Sequence, residues 1–339
     1  MRAVVLVGGF GTRLWPLTLT TPKQMLPVVD RPMVEWVVDQ VVRHGIDDVV
    51  LSLGYRRDAF QEAYPDARCA GATLHYAVEP EPLGTAGAIR FAAERAGVDE
   101  RFVVVNGDVL TDLDLGRLIR FHDAHGGEAT IALHEVDDPS HFGVVVTDSD
   151  GRVDAFVEKP PPGEAPSNLI NAGIYVLEPS VVKRIPPGRA VSIERETFPA
   201  LATDEALWAL DDGGVYWRDT GTPEHYLQVQ LDLVDRIRPM RVVAVDPSAQ
   251  IDADAFVSRA VIGPGVVVER GAKVCDAAVL EGARIGADAR VANAIVGSHA
   301  VIGPGAVVAD GTVIGMGATV DSHTTVRAAK VPDPDLVGR

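Results

Sequence analysis

Ala3-Val4-Val5-Leu6-Val7-Gly8-Gly9-Phe10-Gly11-Thr12-Arg13 decides the fold, because a short apolar run passes straight into three glycines and an arginine. Such a run, with no polar alternation, reads as a strand buried on both faces. Glycines directly after it let the backbone approach a ligand closely and aim N–H groups at phosphate oxygens. The spacing is neither G-x-G-x-x-G nor a P-loop. Working outward, strands are predicted at Val49–Leu53, Leu74–Val78, Phe102–Val105, Ala129–His134, Gly143–Thr147, Val153–Phe156, Ile174–Val176 and Val215–Arg218. Between the first two strands, Pro32–His44 sets Met33, Val34, Val37, Val38, Val41 and Val42 on one helical stripe. Pro32 suits its first turn and Gly45 its C-terminal cap. Gly87–Ala96 and Leu115–Ala124 read as further helices. This alternation implies an α/β fold with a mixed, mostly parallel sheet covered on both faces, whose ligands sit at the carboxyl ends of the strands.

From about residue 250 the helical pattern gives way to a six-residue beat. Ile302, Val308, Ile314, Val320 and Val326 lie six apart. Ile251, Val257, Ile262, Val268, Val274, Leu280, Ile285, Val291 and Val296 keep the beat with three five-residue slips. Gly263, Gly286, Gly303 and Gly315 each follow one of these aliphatics. A repeat of this kind predicts a β-helix in which the aliphatics stack inward through some four coils, a scaffold that oligomerises or caps. The expected domains are 1–238 and 248–330, with Pro239 and Pro247 marking the junction.

The 339 residues carry 31 Lys and Arg against 48 Asp and Glu, a net charge of −17 spread without an acidic tail. That balance argues against binding nucleic acid or an anionic membrane, which need a basic face. A phosphate-bearing ligand must be held by a few local cations, backbone amides or a metal. No apolar run approaches the roughly 20 residues that span a bilayer. The opening MRAVVLVGGFGTR is too short in its apolar part for a secretory signal. Cys69 and Cys275 match no zinc or redox spacing, so a reducing cytoplasm is expected. The nine histidines show no metal spacing and are expected to be structural.

The string Gly8-Gly9-Phe10-Gly11-Thr12-Arg13-Leu14-Trp15-Pro16-Leu17, with Pro22-Lys23 after it, is followed by five further motifs. They are Leu83-Gly84-Thr85-Ala86-Gly87, Asn106-Gly107-Asp108, Phe156-Val157-Glu158-Lys159-Pro160, Asn171-Ala172-Gly173-Ile174-Tyr175 and Trp217-Arg218-Asp219-Thr220-Gly221. In this order they resemble the sugar-nucleotide pyrophosphorylases, the nucleoside triphosphate:sugar-1-phosphate nucleotidyltransferases. The resemblance covers nearly the full length. It implies a Rossmann-like catalytic domain followed by a left-handed β-helix.

The resemblance also implies roles. A sugar-1-phosphate oxygen would attack the α-phosphorus of a nucleoside triphosphate and expel pyrophosphate, so positioning and charge neutralisation carry the catalysis. Gly8, Gly9, Gly11 and Thr12, with Leu83, Gly84 and Thr85, would bind the nucleotide. Arg13 would hold the β- and γ-phosphates, and Lys23 would bridge the α-phosphate and the sugar phosphate. Asp108 and Asp219 would hold Mg²⁺. Neither is needed as a helix cap, because Asp112, Asp114 and Thr222-Pro223 can serve. Lys159 would meet the sugar phosphate, Glu158 and Asn171 would bond sugar hydroxyls, and Gly143 would let its backbone approach the sugar. Ser192-Ile193-Glu194 also resembles family members, without an assignable role.

Glu79, five residues before Gly84, bears on the base. Guanine offers two adjacent donors that a carboxylate can accept together, whereas a uracil or thymine edge suits an amide. Full-length similarity is closest to the GTP:mannose-1-phosphate guanylyltransferases, so GTP and mannose 1-phosphate are the expected substrates of a homo-oligomer. Pro22-Lys23-Gln24-Met25-Leu26-Pro27 and Asp219-Thr220-Gly221-Thr222 resemble glucose-1-phosphate thymidylyltransferases, which keeps a thymidylyl- or uridylyltransferase open. A heptose or cyclitol 1-phosphate acceptor also stays open. So does a non-catalytic sensor of the product, although the phosphate-binding and metal residues are all present.

Overall fold

The computed structural model describes residues 1–54, 57–211, 213–238 and 240–332. Pro239, one of the two junction prolines, lies outside them. The chain forms two compact units that are discontinuous in sequence. The first joins Met1–Gly9 to Val34–Trp217, and the second joins Phe10–Met33 to the chain from Arg218 onward.

The first unit is built on a ten-stranded sheet. Its strands are β1 (Arg2–Leu6), β2 (Asp48–Leu53), β3 (Arg68–Cys69), β4 (Ala72–Val78), β5 (Phe102–Asn106), β6 (Ala129–Glu135), β7 (Gly143–Thr147), β8 (Val153–Glu158), β9 (Leu169–Leu177) and β10 (Leu207–Asp211). Strands β4, β2, β1 and β5 run parallel as neighbours, so the loops after them open on one edge. Strand β9 runs antiparallel to β5, with Ile174 opposite Val105. Its N-terminal residues, including Asn171, therefore fall on that same edge. Val144 opposes Ile170 and Gly143 opposes Glu158, which brings the ends of β7 and β8 there too.

Helix α1 (Met33–Arg43) buries Met33, Val34, Val37, Val38 and Val41, as the stripe requires, and Trp36 besides, while Val42 is half-buried. Pro32 is not in its first turn: it pairs with Pro27 in a two-residue ladder, which its fixed φ and missing N–H tolerate. Helix α2 (Gly84–Arg95) starts three residues before its expected position, because Gly84 enters it with φ +69°. Helix α3 (Leu115–His125) has Asp114 as N-cap, accepting from Arg117 N at 2.9 Å. The last expected strand begins at Trp217 rather than Val215, after Gly213 and Gly214, both at positive φ.

His122 on α3 is fully buried; Nδ1 meets Thr130 Oγ1 at 2.7 Å and Nε2 meets Glu178 Oε1 at 3.2 Å. Burial holds its pKa below the ordinary 6.5; Glu178 opposes the shift and Arg101 adds to it. A histidine with a depressed folded pKa binds protons more readily when unfolded, so stability should fall as pH drops below about 6.5. Thermal unfolding of the parent and His122→Gln between pH 7.5 and 5 checks this. The parent should lose Tm on acidification more steeply than the variant, and parallel curves would remove His122 as the cause.

In the second unit, residues from Gln250 to Val331 form parallel ladders characteristic of a β-helix. Phe256 pairs with Lys273 and Lys273 with Arg290, a step of 17 residues each, so each of these coils is two hexads and one pentad. The register corrects one member of the beat. Ile262, Val279, Val296 and Ile314 stack in one column, so Val279, not Leu280, belongs to it. The bend inside each long strand is taken by Arg259, Asp276, Asn293 or Asp310 at positive φ. Helix α4 (Pro223–Val234), with Thr222 as N-cap and Pro223 in its first turn, lies against the long strands. Its Gln230 donates to Pro27 O at 2.9 Å and accepts from Val29 N at 2.7 Å, tying the Phe10–Met33 segment into this unit. Among the described residues no helix is long and apolar enough to cross a membrane.

Candidate active site

In the first unit, the edge formed by the carboxyl ends of β1, β4 and β5 gathers Gly8, Glu79 and Asp108. A Cβ on Gly8 would lie 3.1 Å from Glu79 Oε1, a tight contact that the carboxylate would have to yield to, whereas the space over Gly9 is open. Glu79 is half-buried; Oε2 accepts from Leu83 N at 3.1 Å and Oε1 from Ser52 Oγ at 3.2 Å. Burial raises its pKa, partly offset by those two donors. It is therefore a held carboxylate beside the glycine turn, rather than a solvated residue of an acidic loop.

The Leu83-Gly84-Thr85 turn is shaped by the chain at Val191. A Cβ on Gly84 would meet Val191 O at 2.6 Å, and Val191 O accepts from Ala86 N at 2.9 Å. The Thr85 hydroxyl donates to Glu194 Oε2 at 2.7 Å and accepts from Ile193 N at 2.8 Å. Ser192 Oγ donates to the same carboxylate oxygen at 2.7 Å. The Ser192-Ile193-Glu194 stretch thus locks the start of α2, a role its sequence did not reveal.

The acceptor residues expected from the sequence share the same edge. Gly143 is needed for packing: a Cβ there would lie 2.6 Å from Phe156 Cζ and 3.0 Å from Glu158 Oε2. Protein side chains already fill that side of the glycine. Asn171 accepts from Gly173 N and donates to the Tyr175 hydroxyl, both at 2.9 Å, holding the bulge in β9. The Tyr175 phenol is pushed well above its ordinary pKa by burial first, then by the carboxylates of Glu194, Glu158 and Asp108. Lys159 sits at φ +51°, a strained conformation for a residue that carries a Cβ, with 57% of its side chain exposed and Nζ 3.4 Å from Glu158 Oε1.

The second unit holds the other cluster. Gly11, at φ +63°, carries the chain into the one-turn helix Thr12–Leu14, and Thr18 Oγ1 donates to its carbonyl at 2.8 Å. A Cβ on Gly11 would meet Lys23 Cβ at 3.2 Å. Lys23 is only 7% exposed and its Nζ lies 3.9 Å from Asp219 Oδ1. Asp219 Oδ2 faces His225 Nδ1 at 3.7 Å, and Oδ1 accepts from Gly221 N at 2.6 Å. Burial alone would raise the Asp219 pKa, but His225, Lys23, Arg13 and the Gly221 N–H outweigh it and hold the carboxylate ionised. A Cβ on Gly221 would meet Arg13 Nη2 at 2.5 Å and Asp219 Oδ1 at 2.8 Å, so this glycine lets the cation and carboxylate approach. Although not a helix cap, Asp219 does build its own turn. Sequence reasoning also missed Ser52, Thr18 and His225, which steady Glu79, Gly11 and Asp219.

Among the described residues, no group of three or more His, Cys, Asp or Glu has the geometry of a metal cage. Magnesium does not require one: it takes one or two carboxylates and completes its shell with phosphates and water. An ionised, locally charge-balanced Asp219 and the strand-end Asp108 each offer hard oxygens of the required kind.

The nucleotidyl transferase family matches residues 2–236, and the GMPPB C-terminal domain matches residues 240–335. The chain is 41% identical over 285 residues to the mannose-1-phosphate guanylyltransferase of Mycobacterium tuberculosis, covering 83% of this chain and 78% of that protein. It is 39% identical over 307 residues to a probable mannose-1-phosphate guanylyltransferase 2 of Arabidopsis thaliana, covering 83% and 82%. Among solved structures, HddC from Yersinia pseudotuberculosis superposes with a TM-score of 0.58 at 28% identity, over 68% of this chain and 99% of that one. HddC has also been solved in complex with GMP-PN. With the strand-edge site in place and a family match over most of its length, the chain belongs to the nucleotidyl transferase family and is a nucleotidyltransferase.

Proposed function

We propose that the protein transfers a guanylyl group from GTP to mannose 1-phosphate, giving GDP-mannose and pyrophosphate. The observation that carries the base assignment is Glu79, a held carboxylate against Gly8 at the mouth of the parallel strands. The relatives named as mannose-1-phosphate guanylyltransferases support the acceptor. A phosphate oxygen of the acceptor bonds the α-phosphorus of GTP as the bond to the β-bridging oxygen breaks, and pyrophosphate leaves. The attacking phosphate is already ionised near neutral pH, its second pKa being about 6, so no general base is needed.

Arg13 meets the β- and γ-phosphates, and Lys23, oriented by Asp219, neutralises the α-phosphate. The backbone of Gly8, Gly9, Gly11 and Thr12 and the Leu83-Gly84-Thr85 turn line the nucleotide. Lys159 meets the acceptor phosphate, and Glu158 and Asn171 face its hydroxyls from the β7–β9 end. Asp108 and Asp219 would hold Mg²⁺, which supplies charge neutralisation on the phosphates when bound. We place the protein in the cytoplasm as a homo-oligomer; the reducing compartment is supported by Cys69 and Cys275 standing as thiols rather than a disulfide. Release of pyrophosphate that needs both GTP and mannose 1-phosphate tests the reading. Binding of GDP-mannose with no turnover would make the protein a sensor instead.

A further inference from the structure

Resting on that reading of Arg13 and Lys23, we propose that Lys330 is a positioning residue of the nucleotide site: through the Arg13 carbonyl it fixes the loop that presents both cations to the triphosphate. The loop's one-turn helix Thr12–Leu14 is closed by Leu14 N to Gly11 O at 2.9 Å and Trp15 N to Thr12 O at 3.1 Å, and Thr18 Oγ1 adds a bond to Gly11 O at 2.8 Å. A helix this short leaves its carbonyls in need of outside donors. Lys330 Nζ donates to Arg13 O at 3.0 Å, across 317 residues of sequence.

The lysine is itself well placed by the last turn of the β-helix. Lys330–Val331 is a short strand paired in parallel with Val313 and Ile314, so the Lys330 backbone is held by a ladder. Two more contacts join this segment to the end of the β-helix. Met316 Sδ accepts from Thr20 Oγ1 at 3.1 Å and from Thr21 Oγ1 at 3.3 Å. Gly315 leaves room for Pro16, whose Cβ lies 2.9 Å from where a side chain would start. Residues 13–21 therefore touch the final coil at three points. A fixed loop backbone lowers the ordering cost of the exposed Arg13 side chain when it meets phosphate. The β-helix thus serves the chemistry directly, and its truncation should disturb turnover as well as assembly.

The test uses the full chain with Lys330→Met, Lys330→Arg and Gly315→Ala, the last wedging Pro16 away. Lys330→Met and Gly315→Ala should raise KM for GTP, and for pyrophosphate in the reverse direction, about tenfold, with the KM for the sugar phosphate unchanged. Lys330→Arg should restore most of the loss. Amide hydrogen exchange in residues 12–21 should quicken in Lys330→Met while the β-helix ladders keep their protection. An unchanged KM for GTP, an equal rise in both KM values, or an arginine variant as damaged as the methionine one would overturn the proposal. If the parent transfers no guanylyl group, the guanylyltransferase reading fails separately. Exchange at 12–21 then still decides, and unaltered exchange in Lys330→Met sinks the brace.

Discussion

Asp219→Asn should lower kcat on the order of 10²–10³, the loss typical when one preorganised electrostatic partner of a developing charge is removed. The reason is local. Asp219 is held ionised by Lys23, Arg13 and His225, and it sets where Lys23 points. Asparagine is nearly isosteric and can still accept from Gly221 N through its remaining oxygen, so the turn should survive. What disappears is the negative charge that balances Lys23 and offers a hard ligand to magnesium. Asp108→Asn, in the first unit, should give a loss of the same order by removing the second proposed ligand. EDTA should abolish turnover in the parent and Mg²⁺ should restore it. Unaltered kcat in Asp219→Asn with an unaltered Tm, or full activity in chelator, would contradict the assignment.

Glu79→Gln should reduce kcat/KM for GTP by about one to two decades, corresponding to roughly 1–3 kcal/mol for one mispaired buried polar contact. The amide can sit where the carboxylate sat. Its oxygen can accept from Leu83 N, and its NH₂ can face Ser52, whose hydroxyl turns from donor to acceptor. Local structure is thereby kept while the face toward the base changes from two acceptors to one acceptor and one donor. Guanine, with adjacent N1–H and N2–H₂ donors, then meets a donor against a donor, whereas a thymine or uracil edge is matched. The GTP preference should collapse and the KM for the sugar phosphate should stay put, since Glu158, Lys159 and Asn171 are untouched. The raised pKa of Glu79 adds a pH signature: the preference needs the ionised form and should weaken on acidification sooner than an ordinary glutamate would allow.

What the sequence made legible was periodic or contiguous. The α1 stripe, the strand entering Gly8 and the hexapeptide beat depend on residues close along the chain. What it hid depends on contacts distant along it. Strand β9 extends to Leu169–Leu177, but Gly173 at φ +77° and the bulge around Asn171 interrupt the apolar pattern that marks a strand. The beat slipped at Leu280 because it and Val279 are both apolar and buried, so only the pairing of Val279 with Val296 separates them. Glu194 acts on Thr85 across 109 residues, and Lys330 on Arg13 across 317, distances over which one sequence carries no signal. The glycines divide similarly. Gly11 and Gly84 are explained by positive φ, but Gly143 and Gly221 only by the side chains that crowd them.

The central claim, that this nucleotidyltransferase joins a guanylyl group to mannose 1-phosphate, is tested most directly by one matrix. Pyrophosphate release by the unmutated protein should be measured with GTP, ATP, dTTP and UTP, each against mannose, glucose, heptose and cyclitol 1-phosphates. The account predicts the highest kcat/KM for GTP with mannose 1-phosphate, with dTTP and UTP lower by about one to two decades on that acceptor. Equal or better use of dTTP with glucose 1-phosphate would contradict it and make the protein a glucose-1-phosphate thymidylyltransferase.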